Sequence, residues 1–202
     1  MKLMIAVPTY GNMPMEFCRS LTGLVKRLTA EGVSFDVVFK PDTLVYLARD
    51  HLVMDAINGG YTHTLWLDSD MVFDDDLLEK LTAHRKAFVC GVYHTRQRPY
   101  ESCVFTKLDP MERPEEYPDD VFQVEACGLG AVFIETRIMK KVLLKNFCCF
   151  APFDRYGEDV AFCVRARELG ATIWCEPKAV LGHVGQVTVW PDKVKALREG
   201  TK

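Results

Sequence analysis

The first 94 residues alternate between short apolar runs and longer segments with helical periodicity, and this alternation constrains the fold more than any other feature. The order is β-α-β-α-β-α-β, which is typical of a parallel, doubly wound sheet with helices on both faces. We therefore predict an α/β fold of this kind. Ligands bind such sheets beyond the carboxyl ends of the strands, so the loops after the strands are the first candidates for a site.

The chain has 202 residues, which suits one domain. We predict a single domain of three parts: residues 1–94, a long loop over 95–120 that serves as a lid, and residues 121–202. Regular structure after the loop is predicted at Val121–Ala126, Ala131–Ile134, Thr136–Lys145, Glu158–Leu169, Thr172–Cys175, Lys178–Leu181 and Asp192–Glu199. Within residues 1–94, the second helix is predicted to begin at about Thr43.

Composition excludes several classes of protein. The formal net charge of −3 argues against a general basic surface for nucleic acid. No apolar run approaches the roughly 18 residues of a membrane span, and the N-terminal run ends at Pro8, too early for a secretory signal. The eight cysteines lack any Cys-x-x-Cys spacing, so we expect reduced, buried cysteines in a cytoplasmic protein.

Two aspartates leave the third apolar run, in Leu65-Trp66-Leu67-Asp68-Ser69-Asp70. Alternate residues of an extended chain project the same way, so Asp68 and Asp70 can converge. Paired carboxylates suit a hard divalent cation, which in turn can bind a diphosphate. The alternative is an acidic turn that caps the next helix.

Two further carboxylates, Glu158 and Asp159, begin a predicted helix after Gly157. One interpretation is helix capping, because anions are stabilised in a first helical turn. The other is a general base aimed at a substrate hydroxyl.

Two further side chains, His183 and Arg49, have either a structural role or a ligand-binding role. His183 stands between two glycines after a strand, and it is either structural or a third metal ligand that shifts the preference from magnesium toward manganese. Arg49 lies near the apolar face of its helix, where it either pairs with a buried acid or reaches a nucleotide.

Together these motifs resemble the GT-A-fold glycosyltransferases, closest to the family-2-like group and its small bacterial and phage members. The segments that carry the resemblance are Met4–Tyr10, Leu47–Asp50, Leu67–Asp70, Gly157–Gly170 and Leu181–His183. Two features depart from the family pattern. Asp50 replaces the usual Asn of the Ala-Arg-Asn element, and Phe39-Lys40-Pro41-Asp42 replaces the usual acidic residues after the second strand.

The resemblance implies a metal-dependent, inverting glycosyltransferase, most simply a hexosyltransferase, with Mn²⁺ or Mg²⁺ as cofactor and a nucleotide-diphosphate sugar, a UDP-sugar by preference, as donor. Residues 1–94 would form the nucleotide-sugar half and residues 121–202 the acceptor and catalytic half. The implied nucleotide-sugar residues are Pro8, Thr9, Tyr10, Arg49, Asp68, Ser69, Asp70 and Gly130. The implied metal ligands are Asp68, Asp70 and His183. Asp159 would be the general base, with Glu158 supporting the acceptor.

The acceptor stays open between a glycan, a lipid, a protein and modified DNA. Four basic residues of the 95–120 segment favour an anionic acceptor, namely Arg96, Arg98, Lys107 and Arg113, and the acidic cluster of the same segment argues against one. Two other functions also remain: a metal-dependent nucleotidyltransferase, which releases pyrophosphate, and a non-catalytic module that binds nucleotide-sugars or glycans.

Overall fold

A computed structural model describes residues 1–41, 44–185 and 189–199. Its strands are β1 (Lys2–Thr9), β2 (Ser34–Pro41), β3 (His63–Leu67), β4 (Met71–Val72), β5 (Phe88–Val92), β6 (Val104–Phe105), β7 (Lys107–Leu108), β8 (Met111–Glu112), β9 (Phe122–Val124), β10 (Ala126–Cys127), β11 (Ala131–Glu135), β12 (Ile173–Val180) and β13 (Gly182–His183). Its helices are α1 (Met15–Ala30), α2 (Val45–Asn58), α3 (Leu77–Thr82), α4 (Thr136–Asn146), α5 (Glu158–Glu168) and α6 (Val194–Glu199), with a 3-10 turn at Pro191–Lys193.

Seven strands form the central sheet, in the order β2-β1-β3-β11-β5-β12-β9. The strands β2, β1 and β3 are parallel, and so are β5 and β12. The strands β11 and β9 run the other way. Five of the seven strands therefore share one direction, which confirms the prediction of a mostly parallel α/β sheet.

Helices cover both faces of this sheet, as predicted. The strand β1 shows why: Leu3, Ile5 and Val7 enter one apolar core, and the alternate residues Met4 and Ala6 enter the other. Helices α1 and α3 pack in the first core, and α2, α4 and α5 pack in the second. Within the described ranges, no helix combines the length and apolarity needed to cross a bilayer.

Three predicted elements differ in the structure. Residues 172–181 hold one strand, β12, where two were predicted, and its register with β5 shifts between Cys175 and Val180. Pro177 lies inside that shift and has no N–H to donate. The predicted Val121–Ala126 segment divides into β9 and β10, which belong to different sheets. The predicted start of α2 at Thr43 lies outside the described residues.

The 95–120 segment is partly built into the core. The strand β6 pairs with β10, and Val104, Phe105 and Leu108 are buried. Tyr117 donates a 2.6 Å hydrogen bond to the Ser102 hydroxyl. The closing of this segment as a lid stays a prediction. Its exposed parts include the turn over residues 95–101 and residues 109–112.

All eight cysteines are free thiols, as predicted. Five are buried: Cys90, Cys127, Cys149, Cys163 and Cys175. The prediction of burial is wrong for Cys18, which lies on the exposed side of α1. Cys103 and Cys148 are partly exposed.

Candidate functional site

A cleft of about 210 Å³ lies at the carboxyl ends of β1 and β3. These neighbouring strands are parallel, so the loops that follow them meet at one edge of the sheet. The cleft is lined by Pro8, Thr9, Tyr10, Val45, Ala48, Arg49, Asp68, Ser69, Asp70, Arg96 and Glu158. The lining includes seven of the eight residues that the sequence predicted to bind a nucleotide-sugar.

A two-stranded ribbon brings His183 to Asp70. The strand β13 pairs antiparallel with β4, which places His183 opposite Met71. The Val184 N–H then donates to the Asp70 carbonyl oxygen at 2.8 Å. The His183 Nε2 atom lies 3.3 Å from Asp70 Oδ2, although 113 positions separate the two residues in the chain.

This pair has the chemistry of a cation site. The His183 Nδ1 atom lies 2.8 Å from the His94 carbonyl oxygen, which can only accept, so Nδ1 carries a proton. The Nε2 atom therefore faces the Asp70 carboxylate, so these two groups could share a bound cation. One imidazole and one carboxylate are ligands that manganese accepts.

Arg96, from the 95–101 turn, also contacts Asp70, with its Nη1 atom 2.6 Å from Oδ2. Burial opposes ionisation of Asp70, but His183 and Arg96 outweigh it and hold the pKa of this carboxyl below its ordinary 3.8. Asp70 is thus an anion whose charge is compensated by the cationic Arg96 side chain.

The third predicted metal ligand is paired differently. Asp68 accepts a 2.7 Å hydrogen bond from Arg49 Nη2. Within the described ranges, no three His, Cys, Asp or Glu side chains are arranged to hold a metal ion. The structure therefore brings Asp70 and His183 together and places Asp68 in the same cleft, and its role as a ligand stays a prediction. Neither aspartate caps the following helix.

Arg49 is a buried cation in the cleft wall. Only 2% of it is exposed, and its guanidinium lies about 6 Å from the rings of Trp66 and Phe150. Burial would lower the pKa of Arg49, but the carboxylates of Asp68, Glu158 and Asp159 reverse that effect and raise it. Its Nε and Nη1 atoms have no hydrogen-bond partner within the described chain, so two buried donors remain for a ligand.

Glu158 and Asp159 occupy the first turn of α5. Glu158 lines the cleft, and Asp159 is half-buried beside it and accepts a 2.7 Å hydrogen bond from the Val160 N–H. Burial, followed by the charge of Glu158, raises the pKa of Asp159 from 3.8 to about 6. A carboxylate of that pKa is a stronger base than an ordinary aspartate.

Gly130 has a packing role in the structure. Its N–H donates to the Tyr93 hydroxyl at 3.1 Å, and a Cβ atom added there would lie 2.7 Å from the Tyr93 ring. The same ring packs edge-on against the His183 imidazole, with centroids 5.6 Å apart. Gly130 thus lets Tyr93 support His183, and its contact with a sugar stays a prediction.

Asp50, the departure from the usual Asn, holds the segment between α4 and α5. Its Oδ1 atom accepts hydrogen bonds from the N–H groups of Cys149 and Phe150, at 2.8 and 3.1 Å. Burial raises the pKa of Asp50. In the other departure, Lys40 pairs with Asp55 at 3.4 Å, and Asp42 lies outside the described residues.

Three supporting residues were missed as parts of the site. Arg96 was noted only as one of several basic residues, and neither Tyr93 nor His94 was assigned a role. Arg96 had a usable signal, since it is a cation in the segment that follows a strand end. The His94 contact is made by a backbone carbonyl, which carries no sequence signal.

No protein-family model matches the sequence, and no curated protein matches it either. Solved structures do share its fold. The chain is similar to A197 from STIV, with a TM-score of 0.64 and 21% identity over 95% of this chain and 91% of that protein.

Two glycosyltransferases also share the fold. GalNAc-T7, solved with UDP, GalNAc and Mn²⁺, has a TM-score of 0.61 and 9% identity over 93% of this chain and 44% of that one. The catalytic domain of Drosophila beta1,4galactosyltransferase 7, in complex with xylobiose, has a TM-score of 0.55 and 14% identity over 87% of this chain and 64% of that one. The chain thus spans less than two thirds of either enzyme, and it has the GT-A-like fold of glycosyltransferase catalytic domains.

Proposed function

We propose that the protein is a glycosyltransferase that moves a sugar from a nucleoside-diphosphate donor to an acceptor hydroxyl. The observation that carries this proposal is the contact of His183 with Asp70 at the edge of a cleft lined by Pro8–Tyr10 and Arg49. Carboxylate and buried guanidinium groups in a cleft, with an imidazole at its edge, suit an anionic, metal-bridged donor.

The donor would lie with its nucleoside against Pro8–Tyr10 and Arg49 and its diphosphate toward Asp70. A volume of about 210 Å³ is small for such a ligand. Arg96 fills part of the cleft, so it would leave Asp70 on donor binding and become free to pair with the diphosphate. The orphaned Arg49 donors would gain acceptors on the nucleotide, with UDP as the preferred nucleotide.

Asp70 and His183 would hold a divalent cation, with Mn²⁺ favoured over Mg²⁺ because imidazole is a ligand. Such a cation neutralises charge on the departing diphosphate. GalNAc-T7 was solved with UDP and Mn²⁺, which supports this cofactor for a chain of the same fold. Whether Asp68 contacts the cation or the ribose belongs to the same proposal.

Asp159 would accept the proton of the acceptor hydroxyl. The acceptor oxygen forms a bond to the anomeric carbon as the bond from that carbon to the diphosphate oxygen breaks. The electron pair of the broken bond leaves with the nucleoside diphosphate. A single displacement of this kind inverts the anomeric centre, and Glu158, on the cleft wall, would position the acceptor.

The test incubates the full chain with UDP-, GDP-, CMP- and dTDP-sugars and a broad acceptor panel, with and without Mn²⁺, and identifies the products. We expect sugar transfer with release of nucleoside diphosphate. The variant Asp70→Ala should lose at least about a hundredfold in Mn²⁺-dependent turnover while it keeps the wild-type circular dichroism spectrum. Retained turnover would remove Asp70 from the cation site.

Other products would contradict the proposal. Release of pyrophosphate would identify a nucleotidyltransferase instead. Tight binding of a nucleotide-sugar, with no turnover across the acceptor panel, would identify a binding module. As a matched control, Asp75→Ala removes an exposed aspartate that pairs with Arg27, and it should leave turnover unchanged.

A further inference from the structure

The outward face of α4 combines basic and apolar side chains. Ile138, Met139 and Val142 face the core, and the opposite side exposes Lys140, Lys141, Leu144 and Lys145. The helix contains no acidic residue, although the whole chain has a net charge of −3. Positive charge is thus concentrated on one surface, which we call the α4 face: Arg137, Lys140, Lys141, Leu144, Lys145 and Phe147.

Two large apolar side chains protrude from the α4 face. Leu144 is 72% exposed and Phe147 is 91% exposed. Phe147 ends the helix at φ 62°, in the left-handed region, and its N–H donates to the Leu143 carbonyl oxygen at 2.8 Å. Glycine is the usual residue at such a position. A bulky aromatic that is both exposed and conformationally unfavourable contributes nothing to the fold that glycine would not supply better.

The three lysines of this face have no acidic side chain paired with them in the part of the chain that the structure describes. Arg137 pairs with Glu135, but Lys140, Lys141 and Lys145 form no ion pair within the described chain. Their spacing brings them next to Leu144 on the helix surface, since residues three and four apart are neighbours. Among the described residues, the α4 face therefore presents unpaired lysine ammonium groups around the exposed side chains of Leu144 and Phe147.

We propose that the α4 face docks the protein on the surface of an anionic lipid bilayer. Helices that lie on membranes have this composition, with Lys and Arg beside exposed Leu and Phe. The lysines would attract acidic headgroups, and Leu144 and Phe147 would insert between them. A protein partner fits less well, because lysine is depleted from protein–protein interfaces.

The test is sedimentation of the full chain with vesicles of phosphatidylcholine alone, or of phosphatidylcholine mixed with phosphatidylglycerol. We expect binding to the mixed vesicles, which rising salt weakens, and no binding to phosphatidylcholine alone. Phe147→Gly should reduce binding about tenfold. Replacement of all three lysines by Gln should reduce it on the order of a hundredfold.

The same set of variants includes controls for loss of folding and for general loss of exposed apolar surface. Phe147→Gly places glycine where the backbone favours it, so its thermal midpoint should not fall. Met15→Gln removes a side chain that is 75% exposed on α1, across the sheet from α4, and should bind vesicles like the wild type. The proposal is overturned by no vesicle binding, by equal binding to both vesicle types, or by unchanged binding of Phe147→Gly. Self-association or DNA binding that depends on Phe147, without vesicle binding, also overturns it.

Discussion

Asp159 is the residue at which folding and the proposed chemistry have opposite requirements. Its pKa is about 6 in the folded chain and 3.8 as a free side chain. The folded state therefore favours the protonated form, and the stability that this form contributes is lost as the pH rises through about 6. At neutral pH, ionised Asp159 costs about 1–3 kcal/mol, and a base must be ionised to act.

We predict that Asp159→Asn stabilises the protein near neutral pH and abolishes sugar transfer, while nucleotide binding persists. Urea denaturation should show the variant more stable above about pH 7 and equal to the wild type below about pH 4. For the wild type, the transfer rate should fall as the pH drops below about 6. Full transfer by the Asn variant would exclude the base role, and a pH-independent stability difference would exclude the proposed cause.

At the residue scale, the sequence predicted which side chains lie in the cleft better than it predicted which of them contact one another. The residues of the cleft were found from motif positions. The sequence left Arg49 open between a buried acid and a nucleotide, and the structure pairs it with Asp68. Pairing of Asp70 with Arg96 was not foreseen, because the path of the 95–101 turn depends on buried contacts farther along the segment.

At the scale of elements, the segment between α4 and α5 is held by two side chains, Asp50 of α2 and Arg165 of α5. Asp50 accepts from two N–H groups of this segment, and Arg165 donates to the carbonyl oxygens of Cys149 and Ala151. The segment leads directly into Glu158 and Asp159. The position of the proposed base is therefore set partly from α2 and partly from α5 itself.

We predict that Asp50→Ala destabilises the protein by about 1–3 kcal/mol, since it leaves two N–H groups without their acceptor. Asp50→Asn keeps an oxygen acceptor and removes the buried charge, so its loss should be under about 1 kcal/mol. Urea denaturation of both variants at neutral pH measures the difference. Equal losses would show that the charge of Asp50, rather than its hydrogen bonds, holds the segment.

Element types were predictable and their pairing less so. The apolar runs and helical periods of residues 1–94 gave the parallel strands. Insertion of β11 between β3 and β5 was not foreseen, because a strand buried on both faces has the same apolar sequence in either direction. The ribbon of β4 and β13 consists of two-residue strands, which are too short to leave a periodic pattern.

Across the whole molecule, the reactivity of the cysteine thiols measures how well the two apolar cores exclude solvent. Five thiols are buried, Cys18 is exposed, and burial raises the pKa of the half-buried Cys103 to about 12. Thiolate is the reactive form. A disulfide reagent should therefore modify Cys18 fastest in the native protein, the partly exposed Cys148 more slowly, and all eight thiols in guanidinium chloride. Cys18→Ser should remove the fast reaction, and fewer than eight thiols after unfolding would reveal a disulfide.

The molecule as a whole was predicted best where several motifs agreed. The order of Asp68–Asp70, Glu158–Asp159 and His183 along the chain, read together with the strand pattern, gave the fold that the structure has. The α4 face had no such signal, because exposure of Leu144 and Phe147 follows from which side of α4 the core occupies. Apolar residues in a helix predict burial until the packing is known.

The pairing of β13 with β4 also has a consequence for the order of events during translation, because the two strands lie far apart in the chain. Asp70 is translated 113 residues before His183. A nascent polypeptide can thus contain all seven strands of the central sheet before His183 is added. If Asp70 and His183 hold a cation as proposed, that cation can bind both of them only after the sheet-forming part of the chain has been synthesised.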